Sequence, residues 1–166
     1  IEENMAMALR RGKVRGLRKG ITKAERNLFR ERLAILDLGL ENRMTAKTGL
    51  LSGGQRQALT LLMATMTKPE LLLLDEHTAA LDPKTAKKVL ELTNQIITED
   101  KLTALMITHN MQDALRLGNR LMMLHEGKVL IDLQREEKKN LQVSDLLKMF
   151  EKASGMGMAS DKILLS

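Results

Sequence analysis

Four short stretches of this 166-residue sequence set polar side chains against apolar runs: LSGGQRQ at 51–57, LLLLDE at 71–76, TAALD at 78–82 and ITHN at 107–110. In the first, Ser52 is a good helix N-cap, and Gln55 three residues on completes a capping box. Gly53 and Gly54 then fall at the helix start, where glycine loses more backbone freedom on ordering than any other residue. What they offer is bare amide N–H at the positively polarised end of a helix, a ready site for an anion such as a phosphate.

Asp75 and Glu76 close the apolar run. Two adjacent carboxylates there are costly to bury unless a cation offsets them. One can hold Mg²⁺, usually through water, and the other can orient or deprotonate an attacking water. On the dipeptide alone, a capping pair at a strand–loop junction is the commoner reading. The four leucines before it, and LSGGQ about twenty residues earlier, shift the balance towards chemistry.

His109 is one of three histidines, and a lone histidine is more often a hydrogen-bonded structural residue than a catalytic one. It follows an apolar run and Thr108, where a group that reads a terminal phosphate would sit. Asp82 before Pro83 reads as an N-cap, a role compatible with facing a neighbouring subunit. His77 carries no assigned role, and His125 reads as a surface residue in a hairpin turn. No His/Cys metal-binding spacing occurs, and no Ser/His/Asp arrangement has sequence support.

The elements that must hold these residues follow from periodicity and caps. A helix ends near Leu9, and Gly12, Gly16 and Gly20 break a basic loop. Thr22 with Glu25 caps a helix over 23–36, closed by Gly39. The helix over 53–67 is apolar on most sides and should be buried. Strands are expected at 71–76 and 103–107, both fully buried and parallel, with a helix from Pro83 between them. Asn110 caps a short helix that ends near Gly118. RLMML and KVLID form a hairpin joined by His125-Glu126-Gly127, and Ser144 opens a last helix before a loose tail. The alternation of helix and strand builds an α/β fold whose ligands gather at the carboxyl ends of the strands, where Asp75, Glu76 and His109 stand.

Composition narrows the class. The chain suits one ordinary domain, has no cysteine for a disulfide or thiolate site, and has no apolar run near the roughly 18 residues of a membrane span. No signal peptide is visible, and a start at Ile1 suggests a piece of something longer. The net charge of +6 comes from one block: ten Lys or Arg between Arg10 and Arg32 face only Glu25 and Glu31. Such a block meets nucleic acid, an anionic membrane or an acidic partner, or is simply a solvated helical face. Phe29 and Phe150 are the only aromatic residues, which argues against a stacking platform for single strands.

Taken together and in this order, LSGGQRQ, LLLLDE, TAALD and ITHN closely resemble the ABC-type ATPases, the nucleotide-binding subunits of ATP-binding cassette transporters. The resemblance covers residues 1 to about 150, the carboxyl-terminal two thirds of such a domain. It implies that Ser52, Gly53, Gly54 and Gln55 form the signature motif, which reaches the γ-phosphate of ATP held by the opposite subunit of a head-to-tail dimer. It makes Asp75 the magnesium-associated aspartate, Glu76 the catalytic base, Asp82 the aspartate that communicates across the dimer and His109 the switch histidine. The implied cofactors are ATP and Mg²⁺.

The implied partners are a second ATPase subunit, transmembrane permease subunits and a substrate-binding protein, with no nucleic acid, at the cytoplasmic face of the inner membrane. The wording DEHTAALDP looks import-type. Residues 1–50 correspond to the remainder of the helical subdomain, 51–133 to part of the catalytic core, and 134–166 to a carboxyl-terminal helix and tail.

The phosphate-cradling loop G-x-x-x-x-G-K-[ST] is absent: Gly12-Lys13 is followed by Val14, and Gly127-Lys128 by Val129. The expectation is a partial P-loop ATPase without the strand that carries that loop or the antiparallel β-subdomain, exposing apolar surface and inactive alone. A nucleic-acid- or ribosome-associated ABC ATPase is the rival, weakened by the lack of sustained heptads in the first 50 residues. A silent partner that only lends its signature is a third reading, and intact Glu76 and His109 weigh against it.

Overall fold

The computed structural model describes residues 1–12 and 20–155. The basic stretch around Gly16 and the tail beyond Gly155 lie outside the described residues. The chain divides into two compact units, Ile1–Ile107 and Thr108–Ser166.

The first unit contains α1 (Glu2–Leu9), α2 (Lys23–Ala34), α3 (Gly53–Thr65), β1 (Leu72–Asp75), α4 (Pro83–Asp100) and β2 (Ala104–Ile107). Thr22 and Glu25 form the expected capping box of α2. The helix ends two residues short of Leu36, and Gly39, at φ +69°, leads into a 3-10 turn at Leu40–Asn42. Phe29, Leu33, Leu36 and Leu40 are nonetheless fully buried, with Met5 of α1 and Leu59 and Leu62 of α3 in the same cluster. Arg26 of α2 grips Glu2 of α1 through two hydrogen bonds of 2.8 and 3.2 Å.

Helix α3 is buried on several sides because it serves two cores. Leu59 and Leu62 enter the helical cluster, while Leu61 packs with Leu72 and Leu74 of β1 and Ile96 of α4. β1 and β2 run parallel, pairing Leu72 with Ala104 through Asp75 with Ile107. Their expected full burial is corrected here: Leu72 and Leu74 point into the core, but Leu73 is 65% exposed and Ile107 53%. Helices α3 and α4 supply the core against Leu72 and Leu74, and no described residues cover the alternate positions on the opposite face.

Helix α4 also meets the start of α3. Asp82 caps α4, accepting from the Thr85 amide at 3.1 Å, with Pro83 as the first helical residue. Thr85 lies against Gly54: a Cβ built on Gly54 would fall 2.1 Å from Thr85 Cγ2. A methyl group therefore occupies the space a side chain at 54 would need.

The second unit contains α5 (Met111–Arg116), the strands β3 (Arg120–His125) and β4 (Lys128–Gln134), α6 (Arg135–Lys138) and α7 (Val143–Ser154). Asn110 caps α5 as expected, accepting from the Asp113 amide at 3.1 Å. The hairpin closes through Glu126 and Gly127, both at positive φ, the two-residue turn whose twist suits antiparallel strands. Leu121, Ile131 and Leu133 face Leu146 of α7 to form its core. The last helix starts at Val143, just before Ser144, with Gln142 as its cap. His125 is half-buried rather than on the surface, its ring edge-on to Phe150 at 5.3 Å.

Lys138 of α6 is 5% exposed and donates to the carbonyls of Ala114 at 2.9 Å, Leu117 at 2.5 Å and Gly118 at 3.3 Å. These are carbonyls at the end of α5, which lack partners within the helix and carry its partial negative charge.

Two expectations follow from these contacts. Gly54→Ala forces overlap with Thr85 and should cost about 1–3 kcal/mol, as overpacking does; Thr85→Ser in the same chain removes the obstructing methyl and should recover most of the loss in a urea melt. Lys138→Met keeps the apolar stem but strands the carbonyls, and should lower the unfolding free energy by about 1–3 kcal/mol.

Candidate functional site

The amino end of α3 is built by its own cap. Ser52 Oγ accepts from the Gln55 amide at 3.3 Å, and Gln55 Oε1 accepts from the Ser52 amide at 3.1 Å. Gln55 Nε2 also donates to the carbonyl of Leu38 at 3.4 Å, so its side chain ties the helix start to the chain that follows α2. The amides of Gly53 and Gly54 are the first two of the helix and have no carbonyl one turn back within it. Ser52 and Gly53 are exposed, whereas Gly54 is buried against Thr85. The two glycines thus differ. Gly53 leaves exposed backbone that a ligand can approach, and Gly54 makes room for α4.

Asp75 ends β1, and Glu76 continues the pairing by one bond, its amide donating to the Ile107 carbonyl at 3.0 Å. Both are exposed. Glu76 has φ +42°, a left-handed conformation that costs a non-glycine residue about 1–3 kcal/mol and persists only where the surroundings enforce it. The chain turns sharply there, the Ala79 amide donating to the Glu76 carbonyl at 3.0 Å. The two carboxylates therefore leave β1 at a bend instead of alternating along a straight strand.

Asp82 closes the same turn. Hydrogen bonds from Thr85, first from its hydroxyl and then from its amide, hold the Asp82 carboxyl below the usual carboxylate range. A Cβ on Gly53 would lie 3.2 Å from Leu81 Cδ2, so the Asp82 turn and the start of α3 are neighbours. The first unit thus carries Ser52, Gly53, Gly54, Gln55, Asp75, Glu76 and Asp82; His109 belongs to the second. Two residues after β2, His109 is exposed, and Asn110 beside it donates its amide to Thr108 Oγ1 at 3.0 Å.

Among the described residues no three His, Asp or Glu side chains come together to enclose a metal. Asp75 fits a different kind of site, in which one carboxylate and solvent share a hydrated Mg²⁺ with phosphate oxygens. Sequence reasoning missed Thr85, whose relation to Gly54 spans 31 positions and leaves no local signal. It also left His77 without a role. That ring is half-buried, and its Nε2 lies 3.1 Å from Thr93 Oγ1.

Residues 2–79 match the ABC transporter family model. The chain is 46% identical over 153 residues to a tyrosine transport ATP-binding protein of Clostridioides difficile, covering 92% of this chain and 61% of that protein. It is 35% identical over 148 residues to a methionine import ATP-binding protein of Oenococcus oeni, covering 84% of this chain and 40% of that one. Among solved structures, a dimeric ATP-binding cassette in a post-hydrolysis state bound to ADP and Pi matches with a TM-score of 0.55 at 31% identity, covering 71% of this chain and 51% of that one. The chain thus spans less than two thirds of the length of the relatives it matches. The glycine-led capped helix, the carboxylate pair at a parallel strand end and these relatives converge: the chain is similar to the ABC-type ATPases and has their fold, and the family model matches it over residues 2–79.

Proposed function

We propose that this chain is part of the ATP-hydrolysing subunit of a bacterial import system, and that it works in a head-to-tail dimer whose ATP turnover drives solute uptake. The observation that carries this reading is Glu76, an exposed carboxylate held at a left-handed bend directly after Asp75 on β1. Glu76 takes the proton from the attacking water, and Asp75 anchors the hydrated cation. Bound Mg²⁺ supplies positive charge against the phosphate oxygens. His109 contacts the γ-phosphate. Ser52, the Gly53 amide and Gln55 meet the γ-phosphate of an ATP held by the other subunit, Gly54 completes that motif by letting α4 pack close beside it, and Asp82 senses that subunit.

The sequence holds no G-x-x-x-x-G-K-[ST] run, so the loop that grips ATP must come from residues other than these 166. Residues 1–50 belong with the helical subdomain, 51–133 with the catalytic core and 134–166 with a terminal helix and tail. Relatives named for transport of tyrosine and for import of methionine, sulfonates and phosphonates support uptake of a small solute, and permease subunits with a substrate-binding protein are the partners that such uptake calls for. They also favour transport over work on nucleic acid. No helix among the described residues is long and apolar enough to cross a membrane, in keeping with a peripheral place on the cytoplasmic face.

The test is turnover in a protein that joins these residues to a phosphate loop. Glu76→Gln should slow Mg²⁺-dependent ATP hydrolysis by about 10²-fold or more, while ATP affinity stays within about threefold. Equal turnover in the two proteins would remove Glu76 from the catalytic role.

A further inference from the structure

Thr93 is a buried polar residue that the reaction outlined above does not use. It is 1% exposed and lies within α4 among Val89, Leu92 and Ile96. Its hydroxyl proton goes to the Val89 carbonyl at 2.8 Å. The same oxygen lies 3.1 Å from His77 Nε2. A hydroxyl that has given its single proton can only accept, so Nε2 carries the hydrogen of this bond.

His77 directly follows Glu76, whose backbone sits at φ +42°. A left-handed non-glycine residue stays so only when its neighbours are fixed on both sides. Before the bend, the Glu76 amide is tied to Ile107 of β2. After it, the Ala79 amide is tied back to Glu76, and the His77 ring is fastened to the interior of α4.

We propose that His77 is a positioning residue for Glu76: its Nε2–H hydrogen bond to Thr93 anchors the chain just past the bend and so sets the direction in which the Glu76 carboxylate leaves β1. This rests on the reading of Glu76 as the base of an ATPase. His77 touches none of the reacting groups in this account. It acts through the backbone of its neighbour, and through Thr93 it joins that backbone to α4, the helix that Asp82 caps.

The experiment compares steady-state Mg²⁺-ATP turnover in the full-length protein for the wild type, Glu76→Gln, His77→Asn, His77→Gln, Thr93→Val and Thr93→Ser. Glutamine places an N–H about as far from the backbone as Nε2 does, and asparagine falls short. Thr93→Val is nearly isosteric and removes the acceptor. His77→Asn and Thr93→Val should each lower kcat about tenfold with KM for ATP within about twofold, a misplacement effect. His77→Gln and Thr93→Ser should stay within about threefold of wild type, and the double variant His77→Asn/Thr93→Val should lose no more than either single one. Imidazole ¹⁵N shifts should show His77 as the Nε2–H tautomer in the wild type.

Wild-type kcat in both His77→Asn and Thr93→Val, beside a slow Glu76→Gln, overturns the positioning role and leaves the ATPase reading standing. An Nδ1–H tautomer, or a loss that His77→Gln fails to restore, overturns it too. Turnover in Glu76→Gln equal to wild type removes the ATPase reading, and the role of His77 with it.

Discussion

The arrangement depends on a missing side chain. Because residue 54 is glycine, the methyl of Thr85 can sit where a Cβ would otherwise be, and α4 can close against the start of α3. Close packing tolerates little change at such a point, since even one added carbon has to displace something. Three features are tied together by this contact. The capped amino end of α3 presents Ser52 and Gly53, the first turn of α4 is capped by Asp82, and the turn between β1 and α4 contains Glu76. A shift of α4 is therefore felt both at the amino end of α3 and at the carboxylate bend.

The same helix connects two cores. Leu92 of α4 packs into the helical cluster and Ile96 into the cluster beneath β1. The strand that carries the carboxylates is thus held from one face by α3 and α4, while Leu73, Leu105 and Ile107 stay exposed on the other. Parallel strands ordinarily have both faces covered, because each strand is apolar on both sides. β1 and β2 keep that two-sided composition, and a second layer packed on Leu73 and Ile107 would complete the usual architecture of such a sheet.

Much of this was legible in the sequence where the signal is local. The capping boxes at Thr22 and Ser52, the Asp82-Pro83 helix start and the Glu126-Gly127 hairpin all involve residues within three positions of each other, and all form as their chemistry dictates. What stayed hidden depends on partners distant in sequence. Leucine content shows that a strand is apolar but not which of its faces finds a cover, so β1 and β2 were expected to be buried throughout. Gly54 read as bare backbone for a ligand, since nothing near it announces Thr85. Lys138 sits in the charged run REEKK, where nothing local sets it apart from its neighbours, yet its amine is turned inward to the end of α5. His77 carries no signal beside Glu76 until Thr93 is seen to lie under it.

The central claim is that one chain serves two ATP molecules, its Glu76 acting at one and its signature residues at the other. Mixing two inactive variants of the full-length protein tests it most directly: Ser52→Arg, which blocks the α3 end, and Glu76→Gln, which lacks the base. In a head-to-tail dimer with free exchange, half the dimers are mixed and each holds one intact site, so turnover should rise to roughly a quarter of the wild-type rate. A mixture as inactive as its components would contradict the account, because Ser52 and Glu76 would then have to serve the same ATP from the same chain.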